Sequence, residues 1–236
     1  MANTRTSAIP RWVWIVCFIM VTVIVVLLEP VDTDEPSGSG GGGTLENLSE
    51  ALAALEALPV RAAEPQDGYD RSLFGPAWTD DVTVEFGGNG CDTRNDILRR
   101  DLTDVTFESG RKQCTIVSGI LDDPYTGKQI HFRRGVDTSA AVQIDHVVAL
   151  SDAWKKGARA LSDQEKRNLA NDPRNLIAVD GPTNQGKGDS DASQWLPPNT
   201  AFHCEYIARQ IEVKTAYRLW VTRPEHDAMA RILATC

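Results

Sequence analysis

The sequence contains no Cys-x-x-Cys pair and no His-Glu-x-x-His run. The first absence removes the usual spacing of zinc fingers and ribbons, and the second removes the metalloprotease zinc set. Histidine is scarce, with four in 236 residues, so a histidine-based active site has few places to sit. There is no surplus of basic charge either. The net charge is −9, so the chain as a whole does not steer a polyanion toward itself. No regular strand–helix–strand alternation and no internal repeat occur, which argues against a doubly wound sheet and against a solenoid. At this length, and with 42% hydrophobic residues, the chain is too long for a disulfide-dependent mini-domain and too apolar for full disorder.

What is present is unevenly spread. Residues 1–28 carry Arg5 and Arg11 and no acid. Residues 29–81 carry twelve acids against Arg61 and Arg71, while residues 82–236 are nearly balanced, with twenty Lys and Arg against twenty-one acids. The acidity therefore belongs to the stretch after the N-terminus and does not argue against a polyanionic substrate for the remainder. Residues 12–28 form an uncharged run of 17, preceded by the two arginines. The expectation is a single-pass membrane anchor with the bulk of the chain on the outer side. The alternative is a cleaved signal that leaves a secreted protein, although no small-x-small site follows Leu28 directly. Residues 29–67 read as a flexible acidic Gly/Ser/Pro linker. It holds a short helix with Leu48, Leu52, Leu55 and Leu58 at helical spacing, stopped by Pro59. Residues 68–236 are the expected folded domain.

Cys91, Cys114, Cys204 and Cys236 all fall on the expected outer side, where thiols oxidise. Three pairings are possible. Cys91–Cys114 with Cys204–Cys236 is favoured, because each bond closes a modest loop and ties a helix start or chain end to its surroundings. Within the domain, residues 92–102 read as a helix capped by Asp92. Residues 115–121 and 128–134 read as a β-hairpin around the turn at 123–127. Short apolar strands are expected over 142–150 and 176–179, and helices over 151–159, 162–170, 202–220 and 224–233. Residues 181–191 read as turn-rich. The fold class is α+β.

Asp145-His146 interrupts an otherwise apolar stretch from Gln143 to Leu150. Adjacent residues of a strand point to opposite faces, so the pair can serve one site only where the strand ends or bends. Downstream, Asn175 heads a strand, and Asn184-Gln185-Gly186-Lys187 follows it. Asp-His, then Asn-Leu, then Asn-x-x-Lys, in this order, resembles the HNH nucleases, also called His-Me finger or ββα-metal nucleases. The likeness is closest to the C-terminal domain of GmrSD-type restriction endonucleases and runs over residues 68–236. The resemblance implies a ββα-metal core with an added β-hairpin and flanking helices. It implies an endonuclease with His146 as general base and with Asp145 and Asn184 as metal ligands. It further implies Asn175 as the brace of the loop between the two strands, and Lys187 beside the scissile phosphate. Where the strict pattern ends in His, this sequence has Asn184, which favours a hard oxygen-binding ion over zinc. Mg²⁺ is the expected ion and Mn²⁺ a substitute.

Histidine can act as a base at neutral pH, because its ordinary pKa lies near ~6.5. Arg94, Arg133, Arg134 and Lys155 are candidates for phosphate contacts. His131 and His203 are expected to be structural or exposed, and His226 is expected at the surface. The expected partner is nucleic acid, DNA ahead of RNA. Low sequence specificity is expected, because no recognition helix, zinc finger or RNA-binding signature accompanies the core. The competing reading is a nucleic-acid-binding module on the same scaffold without catalysis.

Overall fold

The computed structural model describes residues 42–110, 113–136 and 138–236, with side chains from residue 48 onward. The expected anchor over residues 1–28 lies outside the described residues. Among the described residues, no helix is long and apolar enough to cross a membrane.

Helix α1 (Gly42–Ala57) ends just before Pro59, which cannot continue it. Leu55 is fully buried, and α1 packs on two C-terminal helices, α6 (His203–Ala216) and α7 (Arg223–Leu233). The expected linker over 29–67 is therefore, from Gly42 on, part of the packed unit. Its extended part stays attached as well: Val60 bridges Val221, and the Glu64 amide donates to the Lys155 carbonyl.

Helix α2 (Thr93–Asp101) begins where Asp92 accepts the Asn95 amide, so the capping prediction holds in detail. The Cys91–Cys114 bond joins this start to the chain before the second strand, and Cys204–Cys236 ties the start of α6 to the C-terminal residue. Strands β1 (Leu102–Phe107), β2 (Ile116–Asp122) and β3 (Gln129–Arg133) form an antiparallel sheet in that order. The hairpin β2–β3 is the expected one. Strand β1 is an addition that periodicity does not reveal. Its Asp104 sits at φ 50° and its register shifts between Thr103 and Thr106, which breaks the alternation.

A second sheet pairs β4 (Val142–His146) with β5 (Leu176–Asp180), antiparallel, with His146 opposite Leu176. The sheet lies between two cores. Val142, Ile144, Leu176 and Ala178 face the cluster built on α2 and the three-stranded sheet. Ile177 and Val179 face the larger cluster with the C-terminal helices. Burial on both faces explains the unbroken Leu176-Ile177-Ala178-Val179 run. Between the strands lie α3 (Leu150–Lys155) and α4 (Asp163–Asn171), the latter started by a Ser162/Glu165 capping box. Helix α5 (Gly181–Lys187) follows β5 directly, where turns were expected. Asp180 caps it and Pro182 occupies its first turn. Gly181 is required there, because a Cβ would sit 2.0 Å from the Ala140 carbonyl oxygen. The order strand, strand, helix thus places Asp145, His146, Asn175, Asn184 and Lys187 on adjoining elements.

Helix α6 stops at Ala216 rather than running on to Trp220, since Arg218 adopts φ 55°. Two buried ammonium groups link α3, α6 and α7. Lys156 Nζ lies 2.7 Å from carboxylate oxygens of Asp152, Asp191 and Glu225. Lys214 Nζ lies 2.9 Å from Glu225. Such a network costs desolvation and is tolerated because its charges are mutually paired.

Candidate active site

His146 is the last residue of β4. Its Nε2 lies 2.9 Å from the Ala170 carbonyl at the end of α4. A carbonyl only accepts, so Nε2 carries the hydrogen and the Nδ1 lone pair remains available. The ring stacks on Trp78, with centroids 6.0 Å apart and planes 17° from parallel. His146 is 6% exposed. Burial pushes its pKa down to about 3, and the Arg71 and Lys187 charges add to the fall, while the Ala170 hydrogen bond opposes it. The imidazole is therefore held neutral in one tautomer. It lines a cavity of about 360 Å³ together with Arg71, Phe74, Trp78, Leu150 and Asn171.

Asp145 turns to the other side of β4. Its Oδ2 accepts from Lys187 Nζ at 2.6 Å and from the Tyr125 hydroxyl at 2.5 Å. Burial and the Asp145 charge raise the Tyr125 pKa, so the phenol stays a donor. Lys187 also donates to the His146 carbonyl at 2.6 Å and is 1% exposed. The partners of this lysine are thus groups of β4, where the resemblance leads one to expect a phosphate. Asn184 Nδ2 donates to Gln143 Oε1 at 3.0 Å, which leaves its carbonyl oxygen as a donor atom for a cation. Helix α5 therefore lies along β4 with two contacts, Asn184 to Gln143 and Lys187 to Asp145. The cavity of His146 includes none of Asp145, Asn184 or Lys187.

Asn175 is fully buried and braces the loop after β4. Its Oδ1 accepts the Val148 amide at 2.9 Å, and its Nδ2 donates to the Leu169 and Val148 carbonyls. It thereby joins the loop after β4 to the end of α4, the same stretch that supplies the Ala170 carbonyl.

Three of the four residues expected to bind phosphate are committed to other groups. Arg94 donates to the Val142 carbonyl and is half-buried. Arg134 donates to the Ile116 carbonyl and to Asn95. Lys155 pairs with Asp189 at 3.1 Å. Arg133 is exposed on β3. Among the other histidines, His131 is exposed and His203 meets the Pro197 carbonyl. His226, expected at the surface, is 8% exposed beneath Glu56 and Asp227.

Sequence reasoning missed Arg71, Trp78 and Tyr125. Trp78 sits at φ 57°, a costly conformation for a bulky residue, and such strain gathers at functional sites. No local pattern marks it, because its contact is with a ring 68 positions further along the chain.

A family model described as GmrSD restriction endonucleases, C-terminal domain, matches residues 92–232. The chain belongs to this family. The matched region of this GmrSD C-terminal domain protein contains both sheets and helices α2 to α6. Arg71 and Trp78 precede it. An uncharacterized secreted protein of Arthroderma benhamiae is 36% identical over 219 residues, covering 92% of this chain and 97% of that protein. No solved structure matches the chain.

Proposed function

We propose that the protein is a metal-dependent nuclease that hydrolyses phosphodiester bonds of nucleic acid, with DNA as the first substrate to test. The observation that carries this reading is His146. It is a neutral imidazole whose Nε2–H is spent on the Ala170 carbonyl, standing at the wall of a cavity that also holds a cation. Nδ1 is the atom that would take a proton from an attacking water, although burial makes it a weaker base than the ordinary imidazole expected from the sequence.

The oxygens of Asp145 and Asn184 fit a hard divalent ion by donor type, and a carboxylate plus an amide oxygen leaves positions for water. Among the described residues no cluster of three His, Cys, Asp or Glu forms a fuller cage. An ion there would stand apart from the His146 cavity, since Asp145 leaves β4 on the other side and neither residue lines that cavity. Asn175 fixes the loop that positions the Ala170 carbonyl, and Lys187 with Tyr125 holds the Asp145 carboxylate in place.

One observation favours a second reading, a binding module without catalysis: Lys187 already neutralises Asp145. Incubation with circular plasmid DNA and with RNA, in Mg²⁺ and in chelator, separates the two. Cleavage in Mg²⁺ that chelator abolishes supports the nuclease. Binding without cleavage in Mg²⁺ favours the module.

A further inference from the structure

The cations expected to meet phosphate from their sequence position are largely consumed elsewhere, on the Val142 and Ile116 carbonyls, on Asp189 and on Asp145. The cavity of His146 nevertheless has a cation of its own. Arg71 is exposed, lines that cavity, and has no carboxylate within ion-pair distance among the described residues. It lies outside the family-matched region, 21 positions before its first residue.

Its backbone is held firmly. Asp70 accepts the Ser72 amide and starts the short turn Arg71–Phe74. Phe74 is 1% exposed and packs against Tyr69 and Trp154. Gly75 lies so close to Arg167 that a Cβ would fall 2.4 Å from its Cγ. A few residues on, Asp81 pairs with Arg167 at 2.9 Å, and Thr83 exchanges hydrogen bonds with Asn168. The segment from Arg71 to Thr83 is therefore fastened to α4, the helix whose end also positions His146. A pinned backbone carrying an unpaired guanidinium suits recognition of a phosphate, whose oxygens match the two parallel N–H groups of the fork. The remaining wall suits the rest of a nucleotide. Trp78, Phe74 and Leu150 are apolar, and Asn171 Oδ1 is buried without a hydrogen-bond partner.

We propose that Arg71 is a phosphate-binding residue of this cavity, holding a backbone phosphate of the nucleic acid beside His146. The proposal rests on the nuclease reading and adds a substrate contact from a segment that the family match does not include.

The test is equilibrium binding of a short fluorescein-labelled single-stranded DNA, followed by anisotropy in chelator over a series of salt concentrations. Wild type, Arg71→Ala, Arg71→Lys and Arg231→Ala are compared, with unfolding midpoints recorded for each. Arg231 is exposed on α7 and lines no part of the cavity, so its variant controls for loss of one surface charge. Loss of one charge-assisted contact predicts binding about tenfold weaker or more for Arg71→Ala. Loss of one phosphate contact also reduces the slope of log K against log salt by about 0.7. Arg71→Lys should recover the slope but only part of the affinity, because lysine lacks the fork. An Arg71→Ala slope and affinity equal to those of Arg231→Ala overturn the proposal while leaving the nuclease reading standing. Failure of the wild type to bind the labelled DNA also overturns the proposal, while cleavage in Mg²⁺ decides the nuclease reading separately.

Discussion

Replacing Lys187 by Met tests how α5 is held on β4, and the structure fixes the size of the effect. The Lys187 and Asp145 side chains are 0% and 7% exposed, and their charged atoms are 2.6 Å apart. Met keeps most of the lysine volume and removes the ammonium. Asp145 would then be a buried carboxylate with Tyr125 as its remaining donor among the contacts described. Removing one member of a buried pair costs about 3–5 kcal/mol. For a chain of this length that lowers the melting temperature by about 6–20 °C. Asp145→Leu should cost less, because the His146 carbonyl still accepts from Lys187. The double variant Asp145→Leu/Lys187→Met should be more stable than Lys187→Met alone, since apolar replacement of both partners leaves no stranded charge. Urea unfolding followed by circular dichroism measures all four proteins and gives the coupling directly. Single variants within about 0.5 kcal/mol of wild type, the usual range for surface substitutions, would refute the reasoning. They would mean that water reaches the pair and carries its charges.

Three further outcomes follow from the same geometry. The His146 pKa is depressed from the ordinary 6.5 to about 3, so the unfolded chain binds a proton there that the folded protein does not. This contribution to stability is full above about pH 6.5 and is lost on acidification toward pH 3, by up to about 1.4 kcal/mol per pH unit. Measured without metal between pH 7 and 5, His146→Gln should therefore show a shallower loss of stability than wild type, and equal slopes would place the imidazole in water. If Asp145 and Asn184 hold a divalent ion, Mg²⁺ should raise the wild-type melting temperature by mass action. The shift should vanish in Asn184→Ala, and a shift that survives would move the ion elsewhere. In Asn175→Ala the loop after β4 loses three hydrogen bonds. Stability should fall by about 1–3 kcal/mol from the stranded Val148 and Leu169 groups, with urea unfolding as the check.

The parts of this molecule that were legible from sequence are those with local causes. Asp92 announces a helix by its position before Thr93-Arg94-Asn95, and Asp123-Pro124-Tyr125-Thr126-Gly127 announces the β2–β3 turn. The two disulfides follow from loop size and compartment. The bracing role of Asn175 came from the family resemblance alone, because its main partner, Val148, lies 27 positions away. What stayed hidden depends on distant partners. Lys156 and Lys214 resemble surface charge until Asp191 and Glu225 arrive from other elements, and Lys187, expected beside a phosphate, meets Asp145 instead. Trp78 and Arg71 lie in a loop whose meaning comes from β4 and α4. Strand β1 escaped because a positive φ at Asp104 disturbs its alternation. The sequence also brings Asp145 and His146 together in a way the strand undoes, since the two side chains leave β4 toward different neighbours.

The most direct test of the central claim is the single-turnover cleavage rate of nucleic acid by wild type and by His146→Ala, in saturating Mg²⁺, with both proteins shown to be folded. Loss of a general base predicts a rate lower by about 10²–10⁴ in the variant. Equal rates, or no cleavage by either protein, would contradict the account.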